Sequence, residues 1–137
     1  MRISAIIQKC LWLGTVLSIC LLLTVSCSSD TPTDLASIPL ERALSSGKPT
    51  LAEFGWRDCI PCKAMKPILE ELAVEYKGKL NVVIVEVYEH MDLTGQYQIT
   101  AIPTQIFFDN SGSEITRHLG LWPKEEIIAY LKEHGID

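Results

Sequence analysis

The sequence predicts an α/β domain: a central mixed β-sheet flanked by helices on both faces. Three observations carry that reading. Segments of helical and strand period alternate from residue 38 onward. Two early strands are separated by one long helix, the β-α-β arrangement that sets neighbouring strands parallel. A hairpin and a final helix then close the chain, which adds antiparallel strands to the same sheet.

The elements follow in order. Ile38 to Ser46 reads as a short helix, with Leu40, Ala43 and Leu44 on one side and Gly47 stopping it. After Pro49, Leu51-Ala52-Glu53-Phe54 is a short buried strand. Cys59 to Tyr76 carries Met65, Ile68, Leu69, Leu72, Ala73 and Tyr76 at helical spacing, with Gly78 beyond its end and Pro67 inside it. Leu80 to Tyr88 is dense in β-branched residues and reads as a central strand. Asp92 to Tyr97 is a short helix. Thr104 to Phe108 and Glu114 to Leu119 form a hairpin across Asn110-Ser111-Gly112. Trp122-Pro123 opens the last helix, with Pro123 at its first position, Glu125 and Glu126 favourable to its dipole, and Gly135 closing it. The order is α-β-α-β-α-β-β-α.

The first thirty residues differ from the rest of the 137. Arg2 and Lys9 precede an uncharged apolar run from Cys10 to Ser29, the pattern of an export signal and near the length that spans a bilayer. Residues 1–29 are expected to be a signal or lipoprotein leader or a membrane anchor, and 30–37 a tether. Leu23-Thr24-Val25-Ser26-Cys27 resembles a bacterial lipobox, which makes Cys27 the candidate lipidation site. An uncleaved signal-anchor helix and a simple cleaved signal are the alternatives. Each puts the domain, residues 38–137, outside the cytosol, in the cell envelope, with the membrane reached through the N-terminus in the first two.

Without Arg2 and Lys9 the twelve basic residues become ten against seventeen acids, a formal charge of −7. That balance excludes nucleic acid as a partner. Of five cysteines, only Cys59 and Cys62 fall in the domain, too few for a disulfide scaffold. They stand three apart where a strand gives way to a helix. The first sulfur therefore sits at the positive end of that helix, which favours a thiolate, and the second lies one turn on. A thiolate with a resolving thiol can attack a disulfide and release the product. A zinc site would need two further ligands; His90, His118 and His134 are scattered and expected to face solvent, so no metal site is read.

With the element order, the motifs resemble the thioredoxin family over Ile38 to Ile136. Cys59-Ile60-Pro61-Cys62-Lys63 is similar to its C-x-P-C-K, and Pro67 to the proline of its active-site helix. Ala101-Ile102-Pro103-Thr104 is similar to its I-P-T, in which the proline is cis and faces the dithiol, and Gly120 to a glycine lining its substrate groove. The 44 residues from Cys59 to Pro103 leave no room for the central insertion of the cytochrome-maturation branch. The resemblance implies a thioredoxin fold with Cys59 as nucleophile, Cys62 as resolving thiol and the two joined as a redox disulfide. Trp56, Ile60, Pro61, Ile102, Pro103 and Gly120 would contact substrate. Glu53 stands where the family has a buried acid, usually Asp, and would be the proton acceptor for Cys62. Lacking an N–H, Pro103 puts no competing donor before the sulfurs, and the Ile102 backbone is left to pair with an extended substrate.

The family often has Trp directly before the first cysteine; here Asp58 takes that place. An acid there opposes the Cys59 thiolate, and Arg57 is the cation expected to offset it. The expected function is an exported, membrane-associated protein-disulfide reductase without cofactor. Its partners would be disulfide-bearing proteins and a membrane thiol electron donor, with the domain a monomer. The alternatives are a disulfide oxidase or isomerase, and a non-catalytic adaptor or copper-handling module using the dithiol as a soft ligand.

Overall fold

A computed structural model describes residues 39–137; the expected leader (1–29), tether (30–37) and Cys27 lie outside the described residues. The elements are α1 (Leu40–Leu44), β1 (Thr50–Gly55), α2 (Ile60–Glu75), β2 (Asn81–Glu86), α3 (Met91–Gln96), β3 (Thr104–Phe108), β4 (Glu114–Leu119) and α4 (Lys124–Glu133). The sheet order is β2-β1-β3-β4. β1 runs parallel to β2 and antiparallel to β3, and β3 antiparallel to β4. This is the mixed sheet of the sequence reading.

β1 is buried at every position because both faces of the sheet are covered. On one face Leu51, Val82 and Phe107 pack against Met65, Leu69 and Leu72 of α2 and Ile127 and Leu131 of α4. On the other, Ala52, Phe54, Val83, Val85, Ile106 and Phe108 pack against Leu40 and Ala43 of α1 and Leu93 of α3. Each large aliphatic side chain so buried contributes about 1.5–3 kcal/mol. Strand alternation assigns the residues to these faces, and it sends Glu53 toward α2 rather than α3. β4 is one edge of the sheet and β2 the other, so β2 is not the central strand expected from sequence. The charged Glu114 and Arg117 of β4, paired at 2.6 Å, discourage further strand pairing there.

Most element limits differ from the sequence reading by one or two residues, and two of the differences have a clear cause. β2 ends at Glu86 rather than Tyr88, because the N–H groups of Glu89 and His90 both donate to the Glu86 carbonyl at 3.0 Å and turn the chain. Pro123 is the N-cap of α4 and not its first residue; its carbonyl accepts from Glu126 and Ile127 at 3.1 Å. The hairpin turn is organised by Asp109, whose Oδ1 accepts from the N–H groups of Ser111 (2.8 Å) and Ser113 (2.9 Å).

The strand directions gather four loops at one end of the sheet. The C-terminal ends of β1, β2 and β4 and the start of β3 meet there, since Phe54 is in register with both Val85 and Thr104, and Thr104 with Leu119. Among the described residues no helix is long and apolar enough to cross a membrane.

Candidate active site

Cys59 leaves the β1 loop in extended conformation and caps α2, where its sulfur accepts the Cys62 N–H at 3.3 Å. The two cysteines are joined in a disulfide with their Cα atoms 5.2 Å apart. They differ in access: Cys59 is half-buried, whereas Cys62 is 6% exposed. A nucleophile that must meet a partner belongs at the accessible position, and a resolving thiol at the covered one. Ile60 and Pro61 form the exposed first turn of α2, with Ile60 82% exposed beside the sulfurs.

Behind the disulfide lies Glu53, only 2% exposed. A methyl group built on Gly55 would stand 2.9 Å from Glu53 Oε1 and 3.4 Å from Cys62 Cβ, so the carboxyl and the second cysteine border one small space. Burial, with repulsion from Glu86 second, pushes the Glu53 carboxyl up from 4.5 to about 7. A carboxyl poised at neutrality can both take and release a proton under working conditions. Its cross-strand neighbour is Gln105, fully buried and in register on the same face.

The Ile102–Pro103 peptide bond is cis, and Pro103 is buried. The Pro103 carbonyl accepts the Gly120 N–H at 2.8 Å, which ties the end of β4 to this loop. Gly120 has φ +90°, a conformation glycine adopts without strain. Thr104 Oγ1 donates to the Ala101 carbonyl at 2.7 Å and steadies the other side. Among the described residues the Ile102 backbone has no hydrogen-bond partner. Beside it lies a pocket of about 270 Å³, lined mainly by the apolar Val87, Met91, Ile99, Ala101 and Ile102 and the Tyr88 ring, with Thr94 and Thr100 completing the wall.

Trp56 is half-buried, its ring edge-on to Tyr88 with centroids 4.9 Å apart, and the Arg57 guanidinium lies 4.4 Å from its centroid. Arg57 also pairs with Glu89, and its N–H donates to Glu86 Oε2 at 3.1 Å. It is therefore engaged away from Asp58; the cation beside Asp58 is Lys63, at 3.9 Å. His118 does not simply face solvent: it is half-buried, stacked on Trp122 with centroids 4.9 Å apart. Among the described residues no group of three or more His, Cys, Asp or Glu is arranged to hold a metal ion.

The sequence reading did not single out Gln105, Glu86 or the Tyr88–Met91 pocket. Gln105 carried a signal, as the only strongly polar residue of a strand whose apolar neighbours demand burial on both faces. Comparison with known proteins completes the description. The thioredoxin family model matches residues 36–133. The thioredoxins of Staphylococcus aureus strains Mu50, MW2 and N315 are each 36% identical to this chain over 84 residues, which is 61% of this chain and 80% of theirs.

Proposed function

The chain belongs to the thioredoxin family, whose chemistry is thiol–disulfide exchange, and from that premise we propose that it is an exported, membrane-associated protein-disulfide reductase. In the reduced protein the Cys59 thiolate attacks a client disulfide. A mixed disulfide forms and one client thiolate leaves. Cys62 then passes its proton to the Glu53 carboxylate and attacks Cys59 Sγ, which releases the second client thiolate and regenerates the intramolecular disulfide. Two electrons pass from the dithiol to the client. A thiol donor at the membrane must return them, because an oxidising compartment supplies none. The leader supports export, with Cys27 as the lipid-bearing residue or the apolar run as an anchor.

The observation that carries the mechanism is the pairing of an accessible Cys59 on a helix N-terminus with a covered Cys62 that shares its surroundings with a buried carboxyl. Asp58 supports the reducing direction, because a carboxylate beside Cys59 disfavours the thiolate and hence the reduced form that would hold the electrons. The unpaired Ile102 backbone offers one hydrogen-bonded strand segment to an extended client. Trp56, Ile60, Pro61, Pro103 and Gly120 frame that segment, and the neighbouring pocket takes an apolar client side chain.

Trapping tests this. In Cys62→Ser cells, client proteins should accumulate as mixed disulfides on Cys59, sensitive to reductant and absent from the Cys59→Ser variant. The clients should be proteins outside the cytosol. No trapped species, or only cytosolic ones, would overturn the reading. Mass spectrometry of the mature N-terminus decides the anchor, since an intact Met1 would sink lipidation at Cys27.

A further inference from the structure

Two buried side chains beneath the dithiol have unmet hydrogen-bonding capacity. Glu53 Oε1 and both Nε2 and Oε1 of Gln105 are fully covered with no protein partner. A buried polar atom left so costs about 1–3 kcal/mol, so three at adjacent positions call for a common explanation. Glu53 and Gln105 are directly opposite across β1 and β3, where Cβ atoms lie about 4.5–5.5 Å apart and such side chains reach one another. Their capacities are complementary: an ionised carboxylate only accepts, a protonated one also donates, and a primary amide does both.

We propose that Gln105 is the positioning partner of Glu53, a buried amide that turns over with the carboxyl's protonation state. When Glu53 is ionised, Nε2–H donates to it; when Glu53 holds the proton from Cys62, Oε1 accepts the acid O–H. No direct hydrogen bond joins the two side chains, so the contact runs across one shared water molecule. Proton transfer then leaves no uncompensated group in the core, whichever state Glu53 occupies. The inference rests on Glu53 being the proton acceptor of Cys62.

The other groups facing this spot do not supply that service. Glu86 on β2 is a second carboxylate and repels the charged state. Cys62 on α2 is the proton donor itself. His118 on β4 is next in the row, in register with Gln105, but its Nε2 lies against the Leu121 carbonyl at 3.2 Å and its ring stacks on Trp122. From α4, Tyr130 presents its ring to Phe107 and Trp122; its hydroxyl is also covered without a partner but is not on the strand row that sets Gln105 opposite Glu53.

The test is a pH titration of the labelled full-length chain in detergent micelles, following Glu53 ¹³Cδ and the Gln105 side-chain amide by NMR. Both signals should inflect at one midpoint. In Gln105→Leu the Glu53 midpoint should rise, because the donor lost to the charged form outweighs the acceptor lost to the neutral one. A roughly threefold or larger change in its acid constant is expected. Resolution of the mixed disulfide by Cys62 should slow by a similar factor at pH 7 and recover as pH rises, which a merely structural defect would not do. If the leucine variant does not fold, Gln105→Met and the unmutated titration carry the test. A titrating Glu53 with a Gln105 amide blind to it overturns this inference and leaves the proton-acceptor role standing. A Glu53 that does not titrate at all overturns both.

Discussion

Glu53 Oε1 and Cys62 Cβ border the same space above Gly55, within 2.9 Å and 3.4 Å of where a methyl on that glycine would sit. Glycine at 55 is therefore what lets the carboxyl approach Cys62; its φ is not positive, so room rather than backbone freedom is the requirement. Gly55→Ala should push Glu53 aside at an overpacking cost of about 1–3 kcal/mol. Stopped-flow kinetics should show the attack by Cys59 nearly unchanged and the Cys62 step slowed at least several-fold. Equal slowing of both steps would show that the space matters only for folding.

Glu53 also makes stability depend on pH. In the folded disulfide form its carboxyl protonates at about 7, against 4.5 as the ordinary value. Below pH 4.5 both states hold the proton and no penalty exists. Between 4.5 and 7 only the folded state holds it, so stability falls as pH rises; above 7 the full penalty remains. At about 1.4 kcal/mol per unit the penalty is about 3 kcal/mol. Glu53→Gln should remove it, so the variant's advantage in urea unfolding should grow from near zero at pH 4 to about 3 kcal/mol at pH 8. Parallel stability curves across that range would show that the carboxyl is not desolvated.

The mixed sheet and the order of elements along the chain were legible because period, Gly and Pro positions and the hairpin agreed with one another; β3 and β4 have the limits read from sequence. But β2, dense in β-branched residues and read as central, lies at an edge, since propensity does not say which strands flank it. The end of β2 was not legible either, because Val87 and Tyr88 have strand propensity while the turn is set by backbone bonds to the Glu86 carbonyl. At the site, two cysteines three apart at a strand-to-helix junction marked Cys59 and Cys62, and the resemblance to the thioredoxin family pointed to Glu53, which the structure buries. The partners of Arg57 were invisible for a different reason: Glu89 lies 32 residues away, and only the parallel packing of β2 beside β1 brings it near. Gln105 was missed because its apolar neighbours imply burial but not a partner, and only register places it opposite a buried acid.

Gly120 joins the end of β4 to the Pro103 carbonyl while holding φ +90°. Nothing lies within 4 Å of a Cβ placed there, so substitution by alanine is opposed by backbone strain alone. Gly120→Ala should lower stability by about 1–2 kcal/mol. It should also raise KM for a disulfide-bearing protein client, with kcat little changed, because the loop that presents Ile102 shifts while the dithiol and Glu53 stay in place. A fall in kcat without a change in KM would place Gly120 outside the client-binding surface.

Asp58 is placed to tune the redox potential of the Cys59–Cys62 pair. It immediately precedes the N-cap of α2, is exposed, and has Lys63 3.9 Å away. The helix terminus favours a Cys59 thiolate and the Asp58 carboxylate opposes it. Only the reduced protein carries that thiolate, so Asp58→Asn should stabilise the reduced form and make the potential less negative. Exposed charges at this range are worth about 0.2–1 kcal/mol, which corresponds to an upward shift of about 5–20 mV for a two-electron couple. Equilibration with glutathione measures it, and 1 M salt should erase most of the difference. The unmutated protein should sit nearer −270 mV, as thioredoxin does, than the roughly −120 to −180 mV of disulfide-forming enzymes. A value in the latter range would reverse the proposed flux and make the same dithiol an oxidant, and an Asp58→Asn shift toward more negative potentials would remove Asp58 from the account of it.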